Sequence, residues 1–524
     1  MMTVHPPVRR HPPAFDARIS TAVCVGVLLA VYLIAHWDLW GHLSAPTFGW
    51  RPTDLAGIAI NYYRNGFHFL YPQVMWGGAG AGHVEMELPL QSFITALLFK
   101  VFGPHDALSG VLPLAFGFGI VWVTTTFGRY YYGDVAGLAA GVGVALSPTL
   151  VNITSYGMWA DPPTVFFGAL GIYWLLRWSD EDSDWRLWAG AASISLAILC
   201  KITGLYLGVV VLYLFSRRYG LSFFSKPTTW LAAGVMLLPS VLWYAHSYQM
   251  YLEDGNTFGI FAAGSLKFGT ASTLTDLAIY KKTAMRIVLY HVSPLPFAFF
   301  CYGLYLSLVR RDGLVFTWLA GLALHNLVAF NGLRWAGHIG YLLTVLPFCN
   351  LVAGLGFQSA LVHLKQWLGP RWRASTLVPL ATVLVVLTAV NFVVMSDRLN
   401  HRDLGFEIAL WRGKQLTGFK VAALTRPGSL IIVADHEMDG LTPATWMTPP
   451  DVFFFGDRRG WYFTLSWASP ERIEDARRKG AEYFVVSAQS LRQYAEQYPA
   501  LDAYLRQHYR KVTSEDGIIY DLRQ

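Results

Sequence analysis

Long apolar runs, separated by short polar stretches that carry Arg and Lys, fill the chain from Ile19 to Met395. The runs are 19–36, 107–127, 133–150, 161–177, 186–200, 203–216, 228–246, 286–308, 313–330, 336–356 and 374–395. A helix that crosses a membrane needs about 20 apolar residues. The pattern therefore predicts a mainly α, polytopic transmembrane bundle of about eleven helices. Runs 186–200 and 203–216 are short and fit a tilted or broken span. The segment 37–106 is long for a bundle connection and holds two shorter periodic stretches. In the first, Leu55, Ile58, Ala59 and Tyr62 share one helical face. Thr53 is placed to cap a helix that opens on Asp54, and Gly66 to end it. In the second, Leu90, Phe93, Ile94, Leu97, Leu98 and Val101 repeat at helical spacing after Pro89. Both stretches are too short to span and predict helices lying along the interface.

The pattern changes after Asn391. Segments 429–435, 451–456, 482–488 and 517–522 read as short strands, and 471–480 and 490–509 as amphipathic helices. The predicted organisation is a tail over 1–18, a transmembrane domain over 19–395 and a small α/β domain over 396–524. That last domain shows neither a nucleotide fingerprint nor a nucleophile elbow, so a lid, scaffold or acceptor-recognition role is expected of it. The glycine-rich tract 77–82 lacks the lysine and following Ser/Thr of a phosphate loop and reads as a flexible link.

Composition supports the membrane reading. Only 14% of the 524 residues are charged, against roughly a quarter in soluble proteins. The net charge of +7 lies largely in the loops; it orients the chain and does not suggest nucleic acid. One alternation puts Arg9 and Arg10, Arg129, Arg177 with Arg186, Arg217 with Arg218 and Lys226, Arg310 with Arg311, and Lys365 with Arg371 and Arg373 all on the cytoplasmic side. It predicts a multi-pass inner (plasma) membrane protein of bacterial type, with a cytoplasmic N-terminus and an extracytoplasmic C-terminal domain. Run 19–36 has no small-residue cleavage motif and reads as a retained helix. Cys24, Cys200, Cys301 and Cys349 lie in or beside apolar runs without metal or disulfide spacing.

On this topology Asp54, Glu85, Glu87, Asp161, His246 and Arg334 all fall at the outer boundary. Ionisable groups there are costly and are functional candidates by default. The segments around them, TDLAGIAINYYRNGFHFLYP, VEMELPLQSFITALLFKVFG, LSPTLVNITSYGMWADPP, LAILCKITG and RWAGHIGYLLTVLPFCNLVAG, resemble in order and spacing the GT-C glycosyltransferases. The resemblance is to the family shared by protein O-mannosyltransferases and lipid A aminoarabinose transferases, and it covers nearly the whole chain. It implies a polyprenyl-phosphate-linked sugar donor and transfer to a lipid, glycan or protein acceptor at the outer face, normally with inversion. Some relatives carry Lys directly after the acidic residue at the position of Glu87. Here that residue is Leu88, and the corresponding phosphate contact is missing.

The resemblance implies that Asp54 is the base that takes the acceptor's proton; as a residue alone it reads equally as a favourable first-turn charge. Glu87 and Glu85 are candidates to position the acceptor. Glu87 and His246 are also the candidate ligands for a divalent metal ion, although the chain offers no compact ligand motif. Asp161 either caps its helix or supports the site. Lys201, Arg334 and His338 either hold the donor phosphate or reach to lipid headgroups. Tyr341 either lines the cavity or packs in the core. His291 is a further candidate acid or base, with a structural role as the alternative. A rival function, a transporter or lipid-carrier flippase, calls for internal repeats and mid-membrane charges, and the sequence shows neither.

Overall fold

Each apolar run is helical, with breaks, over the part described by the computed structural model, which covers residues 20–37, 49–181, 183–261, 271–328, 339–369, 374–436 and 450–523. Among the described residues five helices are long and apolar enough to cross a membrane: Asp106–Tyr131, Ile202–Ser225, Pro227–Asp254, Ile339–Leu368 and Thr382–Asp403. Two bent pairs, Asp134–Ala145 with Pro148–Ser155 and Leu277–His291 with Pro294–Arg310, raise the number to seven. Eleven full-length spans are thus not what the runs become. Runs 19–36 and 313–330 yield the short helices Thr21–Ala35 and Gly313–Val328. Run 161–177 becomes Asp161–Asp180, whose Asp-Pro-Pro start and charged end dilute its apolarity. Run 286–308 is bent by 109° at Ser293, whose φ of 71° precedes Pro294. Helix Ile339–Leu368, with 94% of its apolar window buried, forms the centre of the bundle, and Thr382–Asp403, with 6%, lies outermost.

The C-terminal region forms one five-stranded sheet in the order β2-β1-β3-β5-β4. Its strands are β1 (Leu430–Asp435), β2 (Arg459–Thr464), β3 (Ala481–Ser487), β4 (Arg510–Thr513) and β5 (Gly517–Asp521). β1 runs parallel to β2 and β3, while β5 is antiparallel to β3 and β4. Three strands fall where the sequence predicts them. Segment 451–456 does not: it is the helix Asp451–Gly456. A short continuous apolar run has no period to separate strand from helix, and here Val452 and Phe453 bury themselves from a helical turn. Segment 490–509 is two helices, Leu491–Gln497 and Pro499–His508, parted at the proline.

Side chains alternate faces along a strand, and the two faces of this sheet meet different partners. Ile432, Ala434, Phe484 and Val486 pack under the helices of residues 470–508. Ile431, Val433, Tyr483 and Val485 share a core with Leu55, Ile58, Tyr62, Met75 and Trp76 of the first long loop. The sheet therefore backs the helix that carries Asp54.

The glycine tract is docked rather than loose. Gly78 N–H donates to Gly460 O (2.7 Å), Gly460 N–H donates to Met75 O (3.0 Å), and Arg459 reaches Gly80 O (2.7 Å). Glycine is required at Gly78: its φ is +69°, and a Cβ would stand 2.7 Å from Trp461 Nε1.

Candidate active site

Helix Trp50–Asn65 begins three residues before the predicted Thr53 cap, with Gly49 at the N-cap position and Gly66 (φ 104°) ending it. Thr53 lies inside the first turn, its hydroxyl on Gly49 O and Trp50 O. Asp54 consequently sits within the helix, 2% exposed. Trp76 Nε1–H donates to its Oδ1 (2.9 Å), while Oδ2 is buried without a hydrogen-bond partner. Burial pushes the Asp54 carboxyl up to about 8, opposed by Arg51 and the Trp76 hydrogen bond and aided by Asp451. A buried carboxylate with an affinity for protons near neutral pH suits general-base work. Sequence reasoning missed Trp76 and Arg51; an indole N–H has no sequence signature for the partner it will find.

The second locus surrounds Glu87. A small cavity of about 20 Å³ is walled by Glu87, Leu88, Gln91, Ser92, Leu55, Ala160, Pro163 and Cys200, among others. Its wall thus includes the chain neighbours of Asp54, Asp161 and Lys201. Leu88 N–H donates to Leu199 O (2.9 Å), which ties the Glu87 segment to the end of helix Asp184–Cys200. Gln91 Oε1 is buried without a partner.

Beside the cavity, Lys201 Nζ lies 2.7 Å from Asp161 Oδ1, the two side chains 13% and 7% exposed. The ammonium stands 4.0 Å from the centre of the Tyr341 ring. A Cβ on Gly340 would meet Asp161 Oδ2 at 2.9 Å, so this backbone closes directly on the ion pair. Asp161 is the first residue of its helix, with Ala160 at the N-cap position, and its partner is Lys201 rather than a helix amide. Lys201, Asp161 and Tyr341 are therefore brought together. Arg334 and His338 lie outside the described residues.

Glu85 is fully buried and committed elsewhere. It accepts from the Thr257 hydroxyl and from Phe261 N–H (3.0 Å), pinning segment 256–261 to the first loop. His246 is held by Leu70 O (2.9 Å) and packs edge-on to Tyr71. His291 is buried between Arg286 O (3.2 Å) and Ile339 O (3.1 Å). Among the described residues no group of three or more His, Cys, Asp and Glu is placed to hold a metal ion. Glu87 and His246 are not brought into a ligand set.

The sequence profile of the dolichyl-phosphate-mannose-protein mannosyltransferases matches residues 87–244, a stretch that begins at Glu87 and includes Asp161 and Lys201. No curated protein matches the sequence. Among solved structures the chain is similar to ArnT from Cupriavidus metallidurans bound to undecaprenyl phosphate, at 13% identity and TM-score 0.61, over 96% of this chain and 98% of that one. The apo state of that protein aligns with 16% identity and TM-score 0.60, over 95% and 97%. The oligosaccharyltransferase of Archaeoglobus fulgidus, in complex with zinc and sulfate, aligns with 13% identity and TM-score 0.56, over 94% of this chain and 73% of that one. At these identities the structural likeness is one of fold, and the fold is shared from end to end with ArnT.

Proposed function

We propose that this chain, a membrane glycosyltransferase of the GT-C class that draws on a lipid-phosphate sugar donor, moves the sugar to an acceptor at the outer face of the membrane with inversion. The observation that carries the reading is a small cavity whose wall holds Glu87 and the chain neighbours of Asp54, Asp161 and Lys201. In this mechanism the acceptor's hydroxyl or amine attacks the anomeric carbon and its proton passes to Asp54. The bond from that carbon to the phosphate oxygen breaks, and the phosphate leaves with the electron pair. Charge grows on the phosphate in the transition state, and fixed cations there lower the barrier.

Lys201 supplies one such cation. An ammonium has three N–H donors. One is spent on Asp161 and the Tyr341 ring faces the group, which leaves capacity for a phosphate oxygen. Arg334 and His338 are proposed as further cations for the donor phosphate, chosen for their charge, and Tyr341, whose ring meets Lys201, as a residue beside it. Glu87 positions the acceptor, since it borders the cavity and also acts electrostatically on Lys201. Asp161 holds Lys201 in place. With the C-terminal sheet outside, the helix of Asp54 lies between the bundle and the sheet, where an acceptor arriving from the outer side reaches it.

Purified chain in proteoliposomes, given a prenyl-phosphate sugar of defined anomeric configuration and membrane extract as acceptor source, tests the proposal. The expected product carries the opposite anomer and appears together with free prenyl phosphate. Retention of configuration would overturn the single-displacement scheme, and donor consumption only on the inner leaflet would overturn the outer-face assignment. Arg334→Ala should raise the KM for donor more than the KM for acceptor.

A further inference from the structure

The contact between helix Trp50–Asn65 and helix Asp451–Gly456 is unusual in what it buries. Thr53 Oγ1 lies 3.4 Å from Asp451 Oδ1 across a sequence separation of 398 residues. Asp451 is 1% exposed, and its Oδ2, like Asp54 Oδ2, has no hydrogen-bond partner. Buried polar atoms are paired almost without exception. Two neighbouring carboxylates, each with an orphaned oxygen, are therefore a costly arrangement that packing alone does not demand.

We propose that Asp451, carried by the C-terminal sheet region, is a positioning residue that acts through Asp54, setting how strongly the base holds the acceptor's proton. This rests on Asp54 being the base. Two buried carboxyls close together are not both charged cheaply. A proton held by Asp451 lowers the cost of ionising Asp54, one residue along the helix from the Thr53 that touches Asp451. Burial also pushes Asp451 up, to about 7, so both groups titrate in the working range.

The charged and titratable groups around the pair come from every packed element. Arg51 lies on the helix of Asp54, its guanidinium 4.1 Å from the Phe258 ring centre. Trp76 donates its indole N–H to Asp54, and the Trp50 indole lies beside it. Lys414 and Asp435 face Asp451 from behind. They form their own pair at 2.6 Å, both fully buried. Asp435 also accepts from Ser487 Oγ (2.6 Å), Ser490 Oγ (2.5 Å) and His436 N–H (2.9 Å). That well-satisfied carboxylate stays ionised, held well below the ordinary range against the cost of burial by Lys414 and His436. Lys414 pairs with Asp435 and also eases the ionisation of Asp451, whose charge in turn acts on Asp54. The C-terminal region thus reaches the chemistry through one carboxyl and the wall behind it.

The test is the pH dependence of kcat/KM for full-length Asp451→Asn and Asp451→Ser, with Asp457→Asn as control. Asp457 sits on the same contact but is exposed and pairs with Arg64 (2.6 Å). Both Asp451 variants should move the acid limb to lower pH by about one unit, the scale of losing a neighbouring like charge, with the KM for donor unchanged. The control should not move it. A uniform loss of activity with an unmoved limb in a folded Asp451 variant would overturn the inference, because that is what a merely structural residue gives. The two readings separate with Asp54→Asn. If that variant turns over normally, the base assignment fails; if it is inactive while the Asp451 variants leave the limb in place, only this inference fails.

Discussion

Replacing Trp76 by Phe removes a single N–H from a buried carboxylate and keeps most of the ring. That indole donates to Asp54 Oδ1 at 2.9 Å, and Oδ2 has no partner to compensate. A hydrogen bond to a charged group contributes about 1.5–3 kcal/mol. Because one pKa unit corresponds to about 1.4 kcal/mol, the loss is worth roughly one to two units. The direction follows from chemistry: the N–H favours the ionised form, so without it the Asp54 carboxyl rises further above its value of about 8. A base works only when deprotonated. At pH 7 the active fraction in Trp76→Phe should therefore fall roughly 10- to 100-fold, with activity recovering above about pH 10. The assay is release of free prenyl phosphate from a labelled prenyl-phosphate sugar in membranes that supply the acceptor, across pH 5.5 to 10.5 (an assay range of about five units). A thermal melt confirms that the variant is folded. An unmoved acid limb in a folded variant would refute the reasoning, since the indole would then have no hold on the titrating group.

Other outcomes follow from the same geometry. Lys201→Met leaves Asp161 buried and unpaired, and should lower stability by about 3–5 kcal/mol; pairing it with Asp161→Leu should restore most of that in a detergent-solubilised melt. Gly78→Val should loosen the docked tract and destabilise the protein by about 1–3 kcal/mol, because it forces a Cβ against Trp461 from a left-handed backbone; the readout is faster proteolysis between residues 77 and 82. Arg492→Cys, at a side chain 88% exposed, should react in a cysteine-free background with an impermeant thiol reagent added outside intact cells. Labelling only after permeabilisation would invert the topology.

The elements that carry Asp54 and Lys201 were legible because their patterns are local. The i, i+3, i+4 spacing from Leu55 to Tyr62 marks a helix, and short, β-branched and aromatic apolar runs mark β1, β3 and β5. Asp161, Lys201 and Tyr341, each a candidate from its place near the end of an apolar run, meet in the structure. What escaped is long-range. Asp451 reads as part of a strand, and its meaning depends on a contact with Thr53 at a separation of 398 residues. The glycine tract reads as a link because its docking edge, at Gly460, lies far along the chain. Among the described residues fewer helices than runs are long and apolar enough to span, because runs 19–36, 186–200 and 313–330 give short helices and Asp161–Asp180 carries charges at both ends. Glu85 was a reasonable candidate as an acid at the boundary, but Thr257 and Phe261 occupy both of its oxygens.

The central claim is that Asp54 takes the acceptor's proton, and Asp54→Asn tests it most directly. Asparagine fits the same space and keeps an oxygen for Trp76, so the fold should persist with an unchanged melting profile. Turnover of the prenyl-phosphate sugar should fall by roughly 100-fold or more, the scale of removing a general base, at every pH and with the acid limb abolished. A folded Asp54→Asn that transfers sugar at near-normal rate, with the limb still in place, would contradict the account.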